Sequence, residues 1–99
     1  MVLTVFRNRL RPENVAEYQA WIQRMSALAK TMPGYISHKA FTAEDGERVT
    51  IVEFESEEAQ RGWATHLEHV DAQRKGRSDF YSEYRLQVCN VVRDTGFKK

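Results

Sequence analysis

A chain of 99 residues that is 41% hydrophobic, with 15 Lys and Arg against 14 Asp and Glu, has the size and composition of one small domain. Its net charge of +1 argues against broad electrostatic capture of nucleic acid or of an anionic membrane, and its one dense basic run, Arg74 to Arg77, is short. The single cysteine, Cys89, leaves no intrachain disulfide framework and no Cys-rich zinc site.

Residues 2–10, "VLTVFRNRL", are rich in β-branched and aromatic types and predict a strand. "RPEN" follows, where Pro12 and Glu13 suit the start of a helix. From Val15 the apolar residues Tyr18, Ile22, Met25, Ala29 and Met32 recur in steps of three and four, widened by Trp21 and Leu28, which predicts an amphipathic helix. Pro33-Gly34 ends it. Residues 35–43 and 48–55 predict two strands joined by a hairpin with Asp45-Gly46 at its tip.

Ser56 is placed to cap a second helix. "THLE" at 65–68 has the spacing of a capping box opening a further helix, expected to run to about Asp79. Residues 84–92 predict the last strand, and the polar tail from Asp94 to Lys99 is expected to fray. The N-terminus shows no apolar leader and no stretch is long enough to span a bilayer, so a cytoplasmic protein is expected.

The order strand–helix–strand–strand–helix–strand is the α+β, ferredoxin-like βαββαβ arrangement, a four-stranded antiparallel sheet with helices on one face. In that strand order Arg7, Glu53, Arg85 and Gln87 share the uncovered face with Leu3, Val5, Val49, Ile51 and Val91. A face this apolar is a poor match for bulk water, and a second sheet from an identical subunit would cover it. Arg7, Glu53, Arg85 and Gln87 are then candidate residues of a homodimer interface, the first three as an ionic cluster; an ordinary solvated face is the alternative.

His66 and His69 stand three apart on one helix face, but no third ligand follows at a recognised metal spacing. A neutral histidine near a helix N-terminus can exchange protons near neutral pH; the plain alternative for His66 is a boundary residue bonded to backbone. Trp63, Phe80, Tyr81 and Tyr84 read most simply as core aromatics. Asn8 is unusual inside a strand and shares the parity of Phe6, so its amide either ties down a loop or meets a ligand. No glycine-rich nucleotide loop and no nucleophile triad appears.

The segments "MPGYISHKAF", "VTIVEFESEEA" and "W..H..H..A...GR..FY..Y..QVC.VVR" resemble the antibiotic biosynthesis monooxygenase (ABM) family over nearly the whole chain. The resemblance implies a dimeric α+β barrel with a ligand cleft between sheet and helices. It also implies activities such as cofactor-independent oxidation of phenolic substrates, quinol oxidation and haem degradation. On this resemblance His69, Asn8 and Trp63 are the catalytic candidates, with His66, Phe54, Phe80 and Tyr84 as ligand-binding candidates. The expected activity is oxidation of a small aromatic molecule by O₂ without a cofactor, with haem binding or plain ligand binding as alternatives.

The sequence departs from both characterised branches. The polyketide-oxidising branch has Asn and Trp where this chain has Thr50 and Phe54, and a tyrosine where it has Gln60. The haem-degrading branch shares Asn8 and Trp63, but its haem-ligating histidine is matched by Gln73.

Overall fold

The computed structural model spans residues 1–99 and describes every backbone position and all side chains except those at 67–69 and 72. The elements run β1 (Val2–Leu10), α1 (Val15–Ala29), β2 (Tyr35–Thr42), β3 (Arg48–Phe54), α2 (Glu57–Ala64), α3 (Leu67–Lys75), one wide helical turn (Gly76–Phe80) and β4 (Tyr81–Asn90). The sheet order is β2-β3-β1-β4, and every neighbouring pair is antiparallel. This is the expected ferredoxin-like plan.

Local chemistry sets the ends of these elements. Asn14 adopts the left-handed conformation (φ 63°) ahead of α1, a geometry its short amide side chain tolerates. The helix therefore starts two residues beyond Glu13. Ser56 Oγ accepts the Ala59 amide at 3.1 Å, capping α2 as expected. Thr65 does not open α3: its hydroxyl donates back to the Arg61 carbonyl at 2.8 Å, so it closes α2, and α3 begins at Leu67. The last strand starts at Tyr81, three residues earlier than expected, because Leu10 pairs with Tyr81 across an irregularity in the ladder.

Register sorts the sheet into two faces, since residues directly opposite share a face. Val2, Thr4, Phe6 and Asn8 of β1 pair with Phe54, Val52, Thr50 and Arg48 of β3, and all of these look towards the helices. The core on that side divides into two clusters. One joins Tyr18, Phe80 and Tyr81 with Phe6, Leu10, Trp21 and Ile22. The other joins Ala29, Phe54 and Trp63 with Leu28, Met32, Tyr35 and Val52.

Leu3, Val5 and Arg7 of β1 lie on the opposite face with Val49, Ile51 and Glu53 of β3 and Arg85, Gln87 and Cys89 of β4. No helix covers this side, and Phe41 of β2 remains half exposed on it. Within the chain Arg7 pairs with Glu47 in two bonds of 3.0 Å, not with Glu53, because the register sets Arg7 opposite Val49 and Arg85. Glu53 and Arg85 have no ion-pair partner among the described residues.

Candidate functional site

Between the two core clusters lies an open-mouthed cavity of about 530 Å³, bounded by α1, α2 and the helix-facing side of the sheet. Small side chains make the space: Ser26 and Ala29 on α1, and the cross-strand pair Ala40 and Thr50, stand where larger residues would fill a core. Trp21, Ile22 and Met25 of α1, Trp63 of α2, and Phe6, Val52, Tyr81, Tyr84 and Leu86 of the sheet supply apolar and aromatic walls. The volume falls in the range of cavities that enclose small organic ligands.

A hydrogen-bonded chain crosses one wall. Ser26 Oγ lies 2.6 Å from His38 Nε2, and Tyr35 Oη lies 2.5 Å from His38 Nδ1. Ser26 comes from the helix, while His38 and Tyr35 come from β2, and the register opposite Val52 turns the imidazole inward. Ser26 and His38 both line the cavity. Burial, reinforced by the Lys30 charge, pushes the His38 pKa below the usual histidine value of 6.5, so the ring is neutral at neutral pH. Burial raises the Tyr35 phenol above its ordinary value of 10.0 against an opposing hydrogen bond from the His38 backbone, so it stays protonated. In the arrangement that makes a base, His38 Nδ1–H donates to Tyr35 Oη while Nε2 accepts from Ser26 Oγ–H. A ligand hydroxyl beside Ser26 could then pass its proton through the serine to the imidazole.

The residues singled out from the sequence are distributed unevenly. Trp63 and Tyr84 line the cavity. Phe54 and Phe80 are 0% and 1% exposed and sit inside the flanking clusters, where they hold the walls without forming the surface. His66 is half-buried at the start of α3 and is not part of the lining. The side chain of His69 lies outside the described residues. Asn8 is 2% exposed, and its Oδ1 has no hydrogen-bond partner among the described residues. Asn8 borders a separate polar recess of about 310 Å³ with Arg7, Glu47 and Arg85.

His38 and Ser26 were not among the site candidates read from the sequence. The available signal was a histidine of helix-facing parity on β2 together with a serine four residues after Ile22 in the buried stripe of α1. Two polar residues aimed at one apolar layer must find partners.

Haem does not fit the described residues. Gln73 lines the cavity, but its amide is no axial iron ligand, and the one imidazole in the described lining, His38, has both nitrogens bonded within the protein. No group of three His, Cys, Asp or Glu side chains stands together as a metal site among the described residues. No helix among them is long and apolar enough to cross a membrane.

A family model described as antibiotic biosynthesis monooxygenase matches residues 1–75. The uncharacterised protein YqjZ of Bacillus subtilis (strain 168) is 32% identical over 95 residues, which cover 96% of this chain and 83% of that protein. Among solved structures, Rv0793 of Mycobacterium tuberculosis superposes with a TM-score of 0.82 at 16% identity, covering 96% of this chain and 98% of the other. SnoaB, a cofactor-independent oxygenase from Streptomyces nogalater, gives a TM-score of 0.78 at 20% identity, covering 95% and 94%. At these identities the two superpositions are evidence of a shared fold alone.

Proposed function

This chain belongs to the antibiotic biosynthesis monooxygenase family, and from that premise we propose that it oxidises a small phenolic or quinol-type aromatic molecule with O₂ and no cofactor. The observation that carries this reading is the neutral Ser26–His38–Tyr35 chain set into the wall of a largely apolar cavity. The largely apolar walls favour the neutral phenol until a base removes its proton, and the poorly solvated anion that results gives up an electron readily.

The atoms balance without an added reductant. His38, through Ser26, takes the phenolic proton, and the electron-rich anion passes one electron to O₂. The superoxide and the substrate radical combine at an activated ring CH₂ carbon as a hydroperoxide. Loss of water from that hydroperoxide, with the imidazolium returning its proton, leaves a carbonyl. One oxygen atom enters the product, the other leaves as water, and the substrate supplies all the electrons. Trp63 and Trp21 offer flat surfaces for the substrate rings.

Oxygen uptake by metal-free protein tests this. On a panel of anthrones, naphthohydroquinones and simple quinols, at least one compound is expected to be consumed well above its rate without protein, and Trp63→Phe is expected to slow that consumption. Uptake at the background rate on every member would remove the reading.

The same reading makes the protein a homodimer packed through its uncovered sheet faces. The apolar band from Leu3 to Phe41 and the unpaired Glu53 and Arg85 support this. Sedimentation at the mass of two chains is expected, and a monomer at micromolar concentration would contradict it.

A further inference from the structure

We propose that the cavity takes an aromatic carboxylate, its anionic group held by the Arg48 guanidinium. The inference rests on the cavity being the substrate site, as proposed above, and names the chemical class that site selects.

Arg48 stands opposite Asn8 of β1 and Thr42 of β2, and so projects to the helix-facing side. Its guanidinium lies over the Tyr18 ring, 5.3 Å from the centroid, and lines the cavity. Among the described residues it has no carboxylate partner. The neighbouring arginines differ: Arg7 is held by Glu47, and Arg9 by Asp45 and Glu83. A half-buried cation facing an aromatic ring gains some cation–π energy, yet it gives up hydration that only an anion fully replaces.

No Asp or Glu appears in the described lining. The other cation there, Lys39, carries its ammonium 5.8 Å from the Phe41 ring centroid, and register puts both residues on the opposite face of the sheet. Arg48 is therefore the one charged group that the described residues turn into the cavity.

Tyr84 lines the same cavity two strands away, with Asn8 of β1 between it and Arg48. Its oxygen accepts a hydrogen bond from Arg77 Nη1 at 3.2 Å, which leaves its own O–H to be donated. Burial holds the nearby Tyr81 phenol far above its ordinary pKa of 10.0, so it places no competing anion at this end. A carboxylate at Arg48 would thus meet a guanidinium that no acidic side chain of the described lining occupies. Charge-assisted bonds of this kind are short and strong. The Ser26–His38 pair lies on α1 and β2, so the cavity is basic at one wall and anion-binding at another.

The test separates binding from turnover by working under argon. The probes are 1-hydroxy-2-naphthoate and its neutral amide, with affinity read from quenching of Trp21 and Trp63, the chain's two tryptophans. The wild-type protein is expected to bind the carboxylate at least tenfold more tightly than the amide. In Arg48→Gln that ratio should fall to near one while the affinity for the amide stays within twofold, which also shows that the variant is folded. Arg48→Lys, which keeps the charge but loses the planar fork, should retain part of the preference. Equal affinities in the wild type, a preference surviving in Arg48→Gln, or no binding of either probe would overturn the proposal. A clear carboxylate preference without oxygen uptake on any aromatic would instead overturn the oxidation reading and leave the anion site standing.

Discussion

Replacing His38 with Gln is expected to slow oxygen consumption by about 10²–10⁴-fold, the usual contribution of a positioned general base. Gln can keep a hydrogen bond to Ser26, so the side-chain layer and the affinity for substrate should change little. What it cannot do is accept a proton. The loss should therefore fall on kcat rather than KM.

The pH profile adds a signature specific to this residue. Burial first, and the Lys30 charge second, hold the His38 pKa below 6.5. The wild-type rate should persist as pH drops through 6.5 and decline only as the pH passes through the lowered value. That acid limb should be absent from whatever rate remains in His38→Gln. Stability follows the same linkage. Between the folded and unfolded pKa values the unfolded chain binds more protons at His38, so stability rises with pH there. This contribution is complete above the unfolded value and is lost as pH falls through the folded one. A His38→Gln variant with wild-type turnover would move the base elsewhere.

The largest expected effect on stability is at Gly34, just after α1. Its φ of +81° lies in the left-handed region, and an added Cβ would sit 2.4 Å from the Ala59 Cβ on α2. The close approach brings α2 against the start of β2, where the Gly34 carbonyl accepts the Glu55 amide at 2.8 Å. Gly34→Ala combines backbone strain of about 1 kcal/mol with overpacking of about 1–3 kcal/mol. Gly46 is the internal control: its φ is +90°, but nothing lies within 4 Å of a Cβ placed there. Gly46→Ala should cost only the strain, about 1 kcal/mol. Urea unfolding of both variants at one fixed protein concentration gives the comparison, since an oligomer's midpoint depends on concentration. Equal losses would mean that Ala59 moves aside without penalty.

Much of this architecture is legible in the sequence because it rests on local chemistry. The stripe from Tyr18 to Ala29 fixes α1, Asp45-Gly46 fixes the hairpin, and Ser56 fixes the start of α2. Thr65 does not open α3 because Thr-x-x-Glu spacing is also compatible with a hydroxyl that bonds back to the preceding turn. Leu86 and Val88 have the parity of packed residues, yet they are 44% and 48% exposed, since parity assigns a face and not the reach of the helices that cover it.

The candidate site was less legible for a related reason. Ser26, Tyr35 and His38 meet only when α1 docks on β2, and no contiguous motif records that contact. The cavity depends on the absence of bulk at Ser26, Ala29, Ala40 and Thr50, which reads in sequence as ordinary small residues. Trp63 and Tyr84 were visible because aromatic residues stand out in any pattern. Arg48 gave no sign, because the absence of acidic side chains around it is a property of the assembled cavity.

The fate of the two oxygen atoms decides whether this cavity hosts a monooxygenase. Metal-free protein would be given ¹⁸O₂ and whichever anthrone or hydroquinone it consumes, and the product would be weighed by mass spectrometry. One ¹⁸O atom is expected in the organic product and one in water, with the reaction about 10²–10⁴-fold slower in His38→Gln. A product free of ¹⁸O with hydrogen peroxide released would mark a simple oxidase and contradict the monooxygenase assignment. Unchanged substrate with wild-type protein would contradict the claim that this cavity performs oxidation.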